Sequence, residues 1–231
     1  MEKTFGNHMK IFTYLLSSIC LCSGLLFGAP RAFEPQDINR LKPLLNTQRI
    51  EYFFKSSGVE VLDIESSAFA EKRVSNLHSV DEDGKKIMRT LAIVNFNQPV
   101  STELRPAHQE IMGGGPIGTT LQKYDWEIAK KPIYFSTIRL SPTVMEWMDE
   151  TDSNEAAVHI YQLETSRHDS SVSTPYCTII EIHNPQYLTS EYLEAIYSDQ
   201  FDQYHEKNDS IDSLISRCCE LMEIFPAPKD N

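Results

Sequence analysis

The spacing of apolar positions changes period along this chain, and the changes mark its elements. Ile38, Leu41, Leu44 and Leu45 recur at helical spacing, as do Ile50, Phe53 and Phe54, which predicts two short helices over residues 35–45 and 47–56. Beyond them the pattern shortens to runs rich in β-branched and aromatic residues. Such runs at 59–64, 68–77, 87–96, 100–104, 133–140, 157–167 and 175–183 predict strands. The polar connections Asp81-Glu82-Asp83-Gly84 and Asn97-Gln98-Pro99 are short enough to favour antiparallel hairpins over parallel crossovers. Helical spacing returns at 118–124, 142–150, 190–198 and 209–224. The predicted class is α+β, a single antiparallel sheet of about six strands with flanking helices.

Charges inside the apolar runs are the candidate chemistry. Glu181 shares a strand face with Cys177, Ile179 and His183, while Thr178, Ile180 and Ile182 share the other, so neither face is cleanly polar. A carboxylate in such a strand needs a partner, because removing it from water is costly unless a charge or hydrogen bonds compensate. Arg89 is the converse case, sharing strand parity with Ile87, Leu91 and Ile93. Arg167 ends another apolar strand, aligned by parity with Tyr161 and Leu163. Two arginines and a glutamate on one sheet suit an anionic ligand gripped by bidentate hydrogen bonds, and they equally suit a structural Arg–Glu pair. The residues alone leave both readings open.

The stretch Gly113-Gly114-Gly115-Pro116-Ile117-Gly118-Thr119-Thr120 has the glycine spacing of a phosphate loop but puts Thr119 where that loop needs a lysine. A turn entering a helix with Pro116 near its first turn accounts for it better.

Composition narrows the function classes. The 231 residues carry a formal charge of −12 with no Lys/Arg cluster, which argues against nucleic acid as a partner. Lys3 and Lys10 precede an apolar run over residues 11–27, followed by small residues through Ala32, the pattern of an export signal. The expected location is therefore periplasmic or secreted, or membrane-anchored through this segment alone if it is not cleaved. Outside the leader only Cys177, Cys218 and Cys219 remain, an odd number that gives no disulfide framework. No Cys-x-x-Cys pair and no helical pair of histidines is present, so neither a metal site nor a cofactor is expected.

The order of these segments resembles the chorismate pyruvate-lyase family. An arginine-bearing hairpin strand (Arg89-Thr90-Leu91 to Asn97-Gln98-Pro99) is followed by Pro116-Ile117-Gly118-Thr119-Thr120-Leu121. A strand closing on Arg167-His168 and then Ile179-Ile180-Glu181-Ile182 with Pro185 complete the series. The resemblance implies a chorismate lyase-like fold and a pocket for a small aromatic carboxylate. In it Glu181 and Arg89 would be catalytic, and Arg167, Gly118 and Ile117 would bind ligand. It implies cleavage of chorismate to 4-hydroxybenzoate and pyruvate, or, on the same fold, an exported binding protein that keeps the pocket without the reaction. Ser166, His168 and the pair His183-Asn184 depart from the family pattern. The organisation expected is a leader over 1–32, a lyase-like domain over 33–188, and an acidic helical extension over 189–231 that could dock on a protein partner.

Overall fold

Strands that read as near-continuous apolar runs, such as residues 87–96 and 176–183, call for cover on both faces, and the fold supplies it. The computed structural model describes residues 34–66, 71–168, 170 and 172–197. Within them β1 (Gly58–Ser66), β2 (Glu71–Val80), β3 (Lys86–Phe96), β4 (Trp126–Arg139), β5 (Glu155–Arg167) and β6 (Thr174–His183) form one sheet. The order is β1-β2-β3-β6-β5-β4, and every neighbouring pair is antiparallel. The predicted α+β class and the single six-stranded sheet are thus what the chain adopts.

The helices are α1 (Ile38–Leu41), α2 (Asn46–Phe54), α3 (Arg105–Met112), α4 (Ile117–Lys123), α5 (Pro142–Trp147) and α6 (Ser190–Ile196). One sheet face, carrying Leu91, Ile93, Val158, Ile160, Ile180 and Ile182, packs against Val144, Trp147 and Met148 around α5. The opposite face meets α1, α2 and α6 through Leu41, Ile50, Phe53, Leu193 and Ile196. Further along the same face, Val94, Leu163, Cys177 and Ile179 meet Ala107, Ile111 and Leu121 of α3 and α4. Alternation decides these sides: Ala92 and Val94 face one layer, and Leu91 and Ile93 the other.

Two stretches differ from the sequence pattern. Residues 100–104, predicted as a strand, form a turn that opens α3, with Leu104 N–H donating to Ser101 Oγ at 3.3 Å. Pro106 stands in the first turn of α3, where no intrahelical donor is needed, and Leu104, Ala107 and Ile111 bury one helical stripe. Strand β4 begins at Trp126, seven residues before the predicted start, and passes Pro132 at a register irregularity. Helix α6 buries Leu193 and Ile196 in the same cluster as Ile50 and Phe53. The predicted leader and the predicted helix at 209–224 lie outside the described residues. Among the described residues, no helix is long and apolar enough to cross a membrane.

Candidate functional site

The helix-rich face holds a half-open cavity of about 60 Å³ between β2, β3, β5 and β6 and the cap formed by the start of α2 and of α4. Its apolar wall includes Val59, Leu77, Ala92, Val94, Leu163 and Ile179. Leu45, Ile117 and Gly118 form the cap. Leu45 is fixed as α2 begins, its N–H donating to Gln48 Oε1 at 2.9 Å. Glycine at 118 is what lets α4 come this close: a Cβ there would lie 2.6 Å from Leu45 Cδ1 and 3.1 Å from Leu45 Cγ.

Besides Asn46 and Thr47 at the start of α2, the polar lining residues are Arg73, Lys130, Tyr161 and Glu181 from the sheet. Arg73 comes from β2, where it pairs with Val94 and so shares its face. Its Nη1 donates to Ile111 O at 2.6 Å and to Gly115 O at 2.8 Å, which pins the turn between α3 and α4 over the cavity. Arg73 Nε is buried without a hydrogen-bond partner, and burial pushes the guanidinium pKa down to about 10. Lys130 Nζ stands 4.6 Å above the Tyr161 ring and is also buried without a hydrogen-bond partner.

Glu181 is 3% exposed, and its immediate partners are neutral. Tyr161 Oη donates to Glu181 Oε1 at 3.0 Å. Burial, and next the Glu181 charge, hold the Tyr161 hydroxyl well above its ordinary range, so it stays a donor. His183 Nε2 lies 3.9 Å from Glu181 Oε2, too far for a hydrogen bond. Burial lowers the His183 pKa to about 4, so this contact is not an ion pair near neutral pH. On the other side of its ring, His183 Nδ1 is 3.0 Å from Thr90 Oγ1. Thr90 Oγ1 accepts from Asn46 Nδ2 at 3.1 Å, and Asn46 Oδ1 accepts from Tyr187 Oη at 2.7 Å.

His159 completes this corner. It lies directly opposite Glu181 in the β5–β6 pairing and stacks on Phe135 with ring centroids 4.4 Å apart. Burial drives its pKa well below the usual imidazole value, and neighbouring Lys130 adds to the effect. One ligand atom from each of His159, Glu181 and His183 falls within 4.8 Å of the others, the arrangement in the described residues that could hold a metal ion.

Of the residues singled out in the sequence, Glu181, Ile117 and Gly118 meet at the cavity, while Arg89 and Arg167 are not among its lining. A register shift at Leu77/His78 leaves Arg89 between the paired residues Met88 and Thr90. Its guanidinium sits 3.8 Å over the Phe54 ring, and its Nε donates to Ser79 Oγ at 2.8 Å. Arg167 lies 3.9 Å over Trp126 and donates to Tyr124 O at 3.0 Å. The cavity cations are Arg73 and Lys130, which sequence reasoning did not single out. Arg73 shares strand parity with Ser75 and Leu77 in a run predicted to be a strand, which was signal enough to notice it. Lys130 precedes the predicted start of its strand and offered no such signal.

No family model matches the sequence, and no curated protein matches it. A solved structure described as a transcriptional regulator of the GntR family from Bacillus cereus is similar over 57% of this chain and 93% of its own. The TM-score is 0.36 and the sequence identity 10%, a likeness confined to part of the chain path.

Proposed function

We propose that this protein binds a small carboxylate with an apolar, aromatic body in the cavity between the sheet and the start of α2 and α4. The observation that carries the reading is the pair of buried cationic atoms, Arg73 Nε and Lys130 Nζ, that have no hydrogen-bond partner on residues lining a mostly apolar wall. A carboxylate placed against either cation would be held by charge-assisted hydrogen bonds, and the aliphatic wall would take up the body of the ligand. Tyr161 and Glu181 then form the polar end of the wall, positioned to meet a ring hydroxyl. This is the ligand class that the resemblance to the chorismate lyases implies.

Size adds a condition. About 60 Å³ is room for roughly four water molecules, less than a benzoate needs. Admission of an aromatic acid therefore requires Leu45 to part from the Ile117–Gly118 turn, a movement of side chains and of a single short helix. Binding, rather than cleavage of chorismate, is the reading favoured here, because Arg89 lies against Phe54 and Ser79 instead of on the cavity wall. A leader over residues 1–32, as the sequence pattern suggests, would accord with a protein that meets its ligand after export.

Calorimetric titration with 4-hydroxybenzoate, benzoate and benzyl alcohol tests the reading. The acids are expected to bind and the alcohol not to. Lys130→Met, which keeps the stem and removes the charge, is expected to weaken acid binding at least about tenfold. Equal affinity for acid and alcohol, or undiminished binding by Lys130→Met, would sink it. Release of pyruvate and 4-hydroxybenzoate from chorismate by the wild-type chain would replace binding with catalysis.

A further inference from the structure

The carboxylate reading leaves one part of this corner unused. Both ring nitrogens of His159 and Nε2 of His183 are buried with no hydrogen-bond partner among the described residues, and the two histidines are 0% and 1% exposed. An interior imidazole with an unmet nitrogen is destabilising, and here two such rings flank one carboxylate on the same sheet face. We propose that His159, His183 and Glu181 bind a divalent transition-metal ion, zinc(II) in the first instance, at a site that adjoins the cavity through Glu181.

The donor set selects the metal class. Two imidazoles and one carboxylate suit zinc and its first-row neighbours, whereas calcium and magnesium require mostly oxygen. Strand geometry supplies the spacing that a helical motif would supply elsewhere. Glu181 and His183 are two apart on β6 and so project to one side, and His159 stands opposite Glu181 across the ladder. Zinc with bonds of about 2.0–2.1 Å holds tetrahedral ligand atoms about 3.3 Å apart. The three ligand atoms lie within 4.8 Å of one another, and His183 Nε2 is 3.9 Å from Glu181 Oε2, so modest side-chain rotation closes the site.

The surroundings favour the same assignment. Tyr161 Oη occupies Glu181 Oε1, leaving Oε2 on the His183 side. His183 Nδ1 is engaged by Thr90, which Asn46 and Tyr187 hold in turn, so the ring is oriented with Nε2 toward Glu181. Lys130 and Arg49 act electrostatically on His159 and oppose a dication there. Affinity on the order of micromolar, rather than that of a structural zinc site, is the consequence. The three protein ligands leave a further coordination position, as catalytic zinc sites do.

The inference goes beyond the carboxylate reading and needs neither Arg73 nor a bound acid, so each can fail without the other. Zinc is titrated into the full chain, free of any histidine tag, in competition with a chromophoric chelator. One zinc per chain is expected, and His159→Phe and Glu181→Gln should each weaken binding by about 100-fold or more. Near-UV circular dichroism reports whether the variants fold. No zinc binding by the wild type, or undiminished binding in both folded variants, overturns the proposal. If either variant does not fold, X-ray absorption of the zinc-loaded wild type decides: two imidazoles per zinc support the site, and a shell without imidazole overturns it. Acid binding is measured separately on the metal-free wild type, which isolates the carboxylate reading.

Discussion

Acidification from pH 7 to pH 5 should destabilise this protein through His183 before most carboxylates titrate. Burial holds the His183 pKa at about 4 in the folded chain, against 6.5 for the unfolded one. Above pH 6.5 the ring is neutral in both states, and below pH 4 it is charged in both. Between those limits the unfolded state binds the extra proton, so stability is fully present above the unfolded pKa and falls as pH is lowered. Integrated from pH 7 to pH 5, the loss assigned to His183 is about 2 kcal/mol. His159, whose pKa is also depressed by burial, acts in the same direction and enlarges the total. Urea unfolding at pH 7, 6 and 5, at constant ionic strength and with chelator present, measures the slope for the wild type and for His183→Gln. The variant should be less stable at pH 7, yet its loss between pH 7 and 5 should be smaller by about 2 kcal/mol. An identical loss in both proteins would show that His183 does not carry the depressed pKa, and the argument from its burial would fail.

Two further changes test the packing around the site. Gly118→Ala places a Cβ 2.6 Å from Leu45 Cδ1 and should cost about 1–3 kcal/mol while abolishing acid binding by closing the cap; wild-type stability and affinity together, by urea unfolding and calorimetry, would refute the close approach. Asn184→Ala removes a fully buried amide whose Nδ2 donates to Met88 O at 3.0 Å and Met148 O at 2.6 Å, and whose Oδ1 accepts from Gln186 N at 2.8 Å. Its loss should cost about 3 kcal/mol of unfolding free energy with an unchanged urea dependence, because two interior carbonyls lose their donor.

The sheet was legible in the sequence because its strands are dense in β-branched and aromatic residues and its hairpins are short. What the pattern obscured follows from the same property. A sheet covered on both faces gives no clean alternation, so strand parity alone does not say which layer a residue meets. The segment 100–104 misled for a related reason: Val100 and Leu104 look like a strand fragment in isolation. The helical stripe that Leu104 begins emerges only with Ala107 and Ile111, beyond the window.

The site was half legible, and Arg89 shows where the inference broke. Parity put Arg89 with Ile87 and Leu91, but the bulge opposite Leu77/His78 inserts it between paired residues and lets its guanidinium lie on Phe54 of α2. Unbroken parity would have left Arg89 with Leu91 on the α5 face; the one-residue irregularity, invisible in composition, turns it to the helix-rich face, where it lies on Phe54 and not among the cavity lining. Its place is taken by Arg73, one strand further out, and by Lys130 across the sheet. Glu181 could be recognised as anomalous from its own strand, but its surroundings could not, because His159 and Tyr161 reach it only through the β5–β6 register. That register turns an isolated charge into the shared edge of two features. Its Tyr161 side faces the cavity cations, and its histidine side forms a nitrogen-rich corner. A variant at Glu181 is therefore expected to weaken both metal and acid binding, whereas Lys130→Met should weaken acid binding alone and His159→Phe metal binding alone.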